Sequence, residues 1–253
     1  MVVTGASSGI GAELSRQAAA SGFRVLSIAR RAERLEQLRA EIIAAGGTLE
    51  TLTLDITEPA AATTIVETAL RAFGRIDVIV NNAGRGDFGP LLEQSDDAIE
   101  AQLRLNLIGP LQLSRAALPL LEATRGQLVF LGSSIVRVPL PNYGAYAPAK
   151  AAVRAAATTL RRELRDRGIA VTYADPGVVA TEWHEASGLQ RNPLVPVASA
   201  HNVAKAILRG IERRAAVVNA QPLQTLGSVL AEWTGSLADP LIATRLAAKK
   251  HSS

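Results

Sequence analysis

The chain contains no cysteine. Disulfides, thiolate nucleophiles and cysteine-based zinc sites are therefore excluded. No apolar run approaches the ~20 residues needed to cross a bilayer, so no transmembrane segment is expected. No export signal precedes the glycine-rich stretch at residues 4–11, and a cytoplasmic location is the expectation. Linkers, low-complexity tracts and internal repeats are also missing, so residues 1–253 read as one domain. Charge of one sign is not concentrated. The net charge is +4, but arginines are mixed with acids, as in Arg30-Arg31-Ala32-Glu33-Arg34, and no aromatics interleave with them. These are solvated helix faces, and nucleic acid is not an expected partner.

What is present is a regular alternation. Apolar strand-like runs stand at Val2–Val3, Arg24–Ala29, Thr48–Leu54, Ile76–Val80, Gln127–Leu131, Ile169–Ala174 and Ala216–Asn219. Amphipathic stretches fill the gaps near 10–21, 31–45, 58–73, 95–123, 143–167 and 201–213. Short runs without polar alternation fit strands covered on both faces. The pattern predicts an α/β fold, a doubly wound Rossmann-type parallel sheet of about seven strands with helices on both faces. With 48% hydrophobic residues the chain has enough apolar material for such a core. The first strand should be central yet has only about three residues before the glycines. Residues 181–253 read as a substrate loop followed by a C-terminal helical region, with apolar helices over 222–247. A lid or a subunit contact suits that region better than a membrane-surface helix, because Glu232 and Asp239 lie in it.

Gly5, Gly9 and Gly11 stand between the first strand and the first helix. Helix-start N–H groups face outward there, and the helix dipole favours an anion such as a dinucleotide phosphate. The second strand ends at Ala29 and runs into Arg30-Arg31. A carboxylate at that end would bind ribose hydroxyls and repel a 2′-phosphate, whereas guanidinium attracts phosphate. NADP(H) is therefore predicted over NAD(H). Arg30 is the preferred contact; Arg31 equally suits a helix start.

Tyr146 and Lys150 are four residues apart, so on a helix they share a face. Reduction of a ketone leaves an alkoxide that needs a proton, and a nearby ammonium lowers the pKa of a phenol. Serines precede them at 133 and 134.

The spacing Thr4-Gly5-x-x-x-Gly9-x-Gly11 resembles the short-chain dehydrogenase/reductase family. Further motifs follow in the family's order: Asn81-Asn82-Ala83-Gly84, Asn106, Ser133, Tyr146-x-x-x-Lys150 and Pro176-Gly177-x-x-x-Thr181. The resemblance covers roughly residues 2–185. It implies Tyr146 as proton donor, Lys150 as its partner and ligand of the nicotinamide ribose, and Ser133 as a bond to the substrate oxygen. Ser133 is chosen over Ser134 because it stands thirteen residues before Tyr146. Asn106 would hold a water that links Lys150 to solvent. The cofactor would rest on Gly5, Ser7, Ser8, Gly9, Ile10, Gly11, Asp55, Ile56, Asn82, Ala83, Gly84, Pro176, Gly177, Val179 and Thr181. Asp55 also suits a helix cap for the segment from Thr57. By the same analogy Phe88, Ile135, Arg137, Tyr143, Val178, Trp183 and His184 line an apolar substrate pocket. His184 with Glu182 and Glu185 makes no convincing metal site. A homodimer or homotetramer is expected. Two departures stand out: Val136, where many relatives have Gly, and Pro148 between Tyr146 and Lys150. The resulting expectation is an NADPH-dependent carbonyl reductase or secondary alcohol dehydrogenase acting on a hydrophobic ketone or alcohol. The alternative is an NADP-binding regulator without turnover.

Overall fold

Branched aliphatic residues in short unbroken runs become strands here because a parallel sheet with helices on both faces has no wet side. The computed structural model describes residues 1–180, 182 and 197–241. Its strands are β1 (Val2–Thr4), β2 (Arg24–Ala29), β3 (Thr48–Thr53), β4 (Val78–Asn81), β5 (Gln127–Leu131), β6 (Ala170–Asp175), β7 (Val179–Ala180), β8 (Ala198–Ser199) and β9 (Val217–Asn219). Seven of them form one parallel sheet in the order β3-β2-β1-β4-β5-β6-β9, while β7 and β8 pair separately. The predicted doubly wound sheet is thus present. The short first strand is central and paired on both sides, Val2 opposite Leu26 and Ile79, Val3 opposite Ser27 and Val80.

Alternate residues feed two cores. Val3, Val25, Val80 and Val129 point to one face, under helices α1 (Gly9–Ala20) and α2 (Ala32–Ala44) and the later α8 (Ala200–Glu212). Val2, Leu26, Ile79, Leu128 and Phe130 point to the other. That face is covered by α3 (Ala61–Phe73), α5 (Gly109–Ala116), α6 (Leu118–Thr124) and α7 (Tyr146–Glu163).

The stretch expected as one helix over 95–123 is broken. α4 (Asp96–Leu103) passes into a wide π turn at Arg104–Ile108 before α5 and α6. Pro110 explains the break: it has no N–H to offer the carbonyl of Asn106 four residues earlier, and its ring crowds that carbonyl. The C-terminal helical region is described as α9 (Pro222–Thr234) and two short turns to Leu241. Leu223, Leu226, Leu230 and Trp233 on α9 are exposed. Among the described residues no helix is long and apolar enough to cross a membrane.

The order reverses between β1 and β4, so the crevice beyond their carboxyl ends is where ligands gather in such sheets. Phe130 is 2% exposed and supports that end of the sheet. Phe130→Ala is expected to lose about 3–5 kcal/mol of unfolding free energy in urea titrations. Leu92→Ala, at a site 96% exposed, is expected to stay within about 0.5 kcal/mol of wild type.

Candidate active site

The crevice is assembled by one hydroxyl and one amide. Thr4, fully buried at the end of β1, accepts hydrogen bonds from the N–H groups of Asn82 (3.1 Å) and Ala83 (3.0 Å). Its own hydroxyl donates to the Val80 carbonyl. The Asn82 amide donates in return to the carbonyls of Thr4 (2.8 Å) and Gly5 (3.2 Å). Gly5 has φ +68°, and a Cβ there would stand 2.8 Å from the Ala83 Cα. Only glycine meets both demands. The turn carrying Ser7, Ser8, Gly9, Ile10 and Gly11 is thereby set beside Asn82, Ala83 and Gly84. Ser8 precedes α1 without capping it, and the first turn holds no acid, so the helix start keeps its electropositive character.

The two arginines separate. Arg31 reaches back over the turn, donating to the hydroxyls of Ser7 (3.1 Å) and Ser8 (2.7 Å) and to Glu182 (2.9 Å). Arg30 pairs with Asp55 at 3.5 Å. Asp55 also accepts from the N–H and hydroxyl of Thr57, but this is a local turn and not the expected helix cap, because the helix begins only at Ala61 after Ala60. Ile56 beside it is buried.

Tyr146 opens α7 and Lys150 follows one turn later, both buried. Pro148 is the third residue of the helix, where a missing N–H forfeits no helical bond, so it leaves the pair in register. The Lys150 Nζ lies 5.8 Å from the Tyr146 ring centroid and donates to the Leu131 carbonyl at 2.9 Å. Ser133 leaves β5 in extended conformation, and its hydroxyl accepts from Ile135 N–H and bonds the Tyr146 side chain. Asn106, in the π turn, donates to the carbonyls of Arg85 and Gln102, both at 2.9 Å. Its Oδ1 is buried without a partner. A methyl on Gly84 would stand 2.7 Å from that Oδ1 and 3.3 Å from the Lys150 Nζ. Asn106, Gly84 and Lys150 therefore meet, and Ser133 and Tyr146 meet.

The electrostatics depart from the expectation that Lys150 makes Tyr146 more acidic. Burial raises the pKa of Tyr146 above its ordinary value, with the Ser133 bond opposing. Burial lowers Lys150 to about 8. Lys150 lies over the ring face and donates to a carbonyl, so desolvation governs the phenol.

Several supporting side chains were not foreseen. Gln94 accepts from Ala145 N–H (2.8 Å) at the entry to α7 and donates to the Asp87 carbonyl (2.7 Å). Gln102 bonds both the N–H and the carbonyl of Asp87. They tie the Phe88 loop to the helix of Tyr146, and Phe88 stands 5.1 Å edge-on to Tyr143 and 6.2 Å from Tyr146. Gln221 donates to the carbonyls of Pro176 and Val178, and Gln224 accepts from Val178 N–H. These bonds fix α9 to the Pro176-Gly177 loop. Val179 beyond it is buried in β7. Ile135 is buried with Tyr146 and Ala147. Arg137, 15% exposed, pairs with Glu232 of α9 at 3.3 Å. The one sequence signal for the glutamines was their position beside apolar runs, which does not reveal a partner. Thr181, Trp183, His184 and Glu185 lie outside the described residues.

With this geometry in view, the family follows. The family model for short chain dehydrogenase matches residues 1–192, and the chain belongs to that family. It is 35% identical over 188 residues to Dehydrogenase/reductase SDR family member 7B of Bos taurus, covering 72% of this chain and 58% of that protein. The chain thus spans under two thirds of that relative's length. Its fold is similar to that of a short-chain dehydrogenase from Sphingobium yanoikuyae in complex with NADPH. The TM-score is 0.80 and the identity 30%, over 94% of each chain. A family member from Burkholderia phymatum in complex with NAD shares the fold at TM-score 0.83 and 22% identity, over 96% of this chain and 95% of that one.

The buried Lys150 carries a signed consequence for stability. Its folded pKa is depressed to about 8 from 10.5, so between those values the unfolded chain binds more protons than the folded one. Stability from this group therefore rises with pH across that window and is lowest below it. Lys150→Met is expected to melt on the order of 5 °C higher than wild type at pH 7, the difference shrinking toward pH 10 in calorimetry.

Proposed function

We propose that this protein is an NADPH-dependent carbonyl reductase, running in reverse as a secondary alcohol dehydrogenase, on a hydrophobic ketone or alcohol. The observation that carries the reading is a buried Tyr146 bonded to Ser133, with Lys150 one turn away, at the crevice where the strand order reverses. NADPH, when bound, supplies the hydride for the carbonyl carbon. Tyr146 gives its proton to the carbonyl oxygen, and the Ser133 hydroxyl donates a hydrogen bond to the same oxygen. Lys150 holds positive charge beside the phenol as it loses its proton. The unpartnered Asn106 Oδ1 faces the Lys150 side of the site and is placed to accept from a water that returns the proton.

The residues of the crevice fit a dinucleotide. The Gly5–Gly11 turn and Asn82, Ala83 and Gly84 offer backbone at close range, Asp55 and Ile56 flank the adenosine end, and Pro176, Gly177 and Val179 flank the nicotinamide end. NADPH is preferred because β2 ends at Ala29 with no carboxylate and is followed by two guanidiniums. Arg31 bonds the Ser7 and Ser8 hydroxyls of the turn, and this contact with the cofactor-side loop supports a role for its charge toward a 2′-phosphate. The relative at 30% identity binds NADPH. Phe88, Ile135, Tyr143 and Val178 supply the apolar wall, and the helices of Asn106 and Tyr146 are the proposed contacts of a cytoplasmic homodimer or homotetramer.

NADPH oxidation against a panel of aryl and aliphatic ketones tests the reading. Tyr146→Phe is expected to lower kcat by at least about a thousandfold while leaving NADPH affinity near wild type. NADPH binding without turnover on any carbonyl would favour a regulator instead. Arg31→Ala is expected to raise KM for NADPH by about tenfold or more and to leave KM for NADH nearly unchanged. An equal effect on both cofactors would remove the 2′-phosphate role.

A further inference from the structure

We propose that Tyr173 is a positioning residue for Ser133, holding the serine backbone so that its hydroxyl faces Tyr146; the proposal rests on the reductase reading above. Tyr173 sits mid-strand in β6, 4% exposed, between Phe130 of β5 and Val217 of β9. Its phenol oxygen accepts from the Ser133 N–H at 3.3 Å and donates to the Ser133 carbonyl at 3.4 Å. The ring occupies the place where a side chain on residue 132 would project, and any Cβ on Gly132 would overlap it. Gly132 and Tyr173 are thus a matched pair: the missing side chain on one strand end admits the ring from the next.

A buried filler would need only the ring, and phenylalanine would fill the niche equally. The hydroxyl adds a grip on both backbone groups of one residue. Burial, then Asp175, raises the Tyr173 pKa to about 12, so the group stays neutral and keeps both its donor and its acceptor role. Ser133 depends on that grip. Its backbone is extended (φ −163°, ψ 147°), and its hydroxyl must serve Ile135 N–H and Tyr146 together. A rotation of the Ser133 backbone would break both bonds. The preceding anchor is Gly132 N–H to the Ala174 carbonyl at 2.8 Å; the Ser133 carbonyl also accepts from Val136 N–H at 3.3 Å, and the Ser133 N–H is left to Tyr173. Asp175, two residues along on the same side of β6, holds Gly177 N–H at 3.0 Å. One strand face therefore reaches both loops that flank the chemistry.

Wild type, Tyr173→Phe, Ser133→Ala and the double variant are compared in both reaction directions. The groups that act on Tyr146 are Ser133, Tyr143, Tyr173 and Asp175, with Lys150 over the ring. Tyr173→Phe is expected to lower kcat about ten- to hundredfold while KM for the cofactor stays near wild type. The apparent pKa of alcohol oxidation should move up, because the Ser133 bond that lowers the Tyr146 pKa is weakened. In the Ser133→Ala background Tyr173→Phe should leave kcat unchanged and should not move the apparent pKa up, because only Tyr173's own raising effect on Tyr146 remains to be lost. Wild-type kcat and pH profile in Tyr173→Phe, or an equal fold loss in both backgrounds, would overturn the proposal. If Tyr146→Phe is dead and Tyr173→Phe is not impaired, the positioning role alone fails. If wild type reduces no carbonyl, or Tyr146→Phe still turns over, the reductase reading fails and takes this inference with it.

Discussion

The site depends on the carboxyl ends of β1 and β4 being held at one level. Thr4 and Asn82 do this with side-chain bonds that run both ways between the two loops. Each is worth about 1 kcal/mol net, but all are buried or partly buried, and losing one partner would leave the other's polar group stranded at greater cost. With the loops locked, the glycine turn, the Asn82–Gly84 turn and the Lys150 amine are brought to the same crevice. β1 is three residues long, so there is little ladder to keep its end in place without this cross-link.

The second constraint is electrostatic. An ammonium and a phenol are buried in the same small volume, and burial shifts each toward its neutral form. In the reductase reading proposed above this suits a proton donor, because burial keeps the phenol protonated through neutral pH. For the fold it is a burden, because a buried amine is offset here by one carbonyl, that of Leu131. Chemistry and stability pull in opposite directions at Lys150, as they commonly do where a site is built for charge that develops later.

The fold was legible because its signals are local. A short run of valines and leucines is a covered strand wherever it occurs, and Tyr146 and Lys150 share a helix face by spacing alone. Ser133, Asn106 and Gly84 were legible through their order in a known family pattern, and the structure brings Asn106 and Gly84 to Lys150 and Ser133 to Tyr146. The break at Arg104–Ile108 was written in Pro110 but is easily overlooked, since a proline inside an apolar run leaves the period intact. What could not be read were pairings between distant segments. Nothing local in Gln94 points to Ala145, nor in Gln221 to Pro176, because a glutamine's partner is chosen by tertiary placement. Tyr173 is the clearest case: a tyrosine in a strand covered on both faces must find a partner for its hydroxyl, but the sequence does not say which.

The two sides of the crevice are held with unequal strength, and this bears on recognition. The side that carries Tyr146, Ser133 and the glycine turn grows out of a seven-stranded sheet with an apolar cluster on each face. The other side, α9, is attached among the described residues by neutral bonds from Gln221 and Gln224 and by an ion pair between Arg137 and Glu232. Glu232 is 45% exposed in that pair, so water screens it and its contribution is small. Bonds of this kind sum to a few kcal/mol at most, far less than the burial that fixes the sheet. The groups that must be placed within a fraction of an ångström therefore stand on the rigid side. α9 and the Pro176-Gly177 loop it holds stand on the side that can adjust without disturbing them.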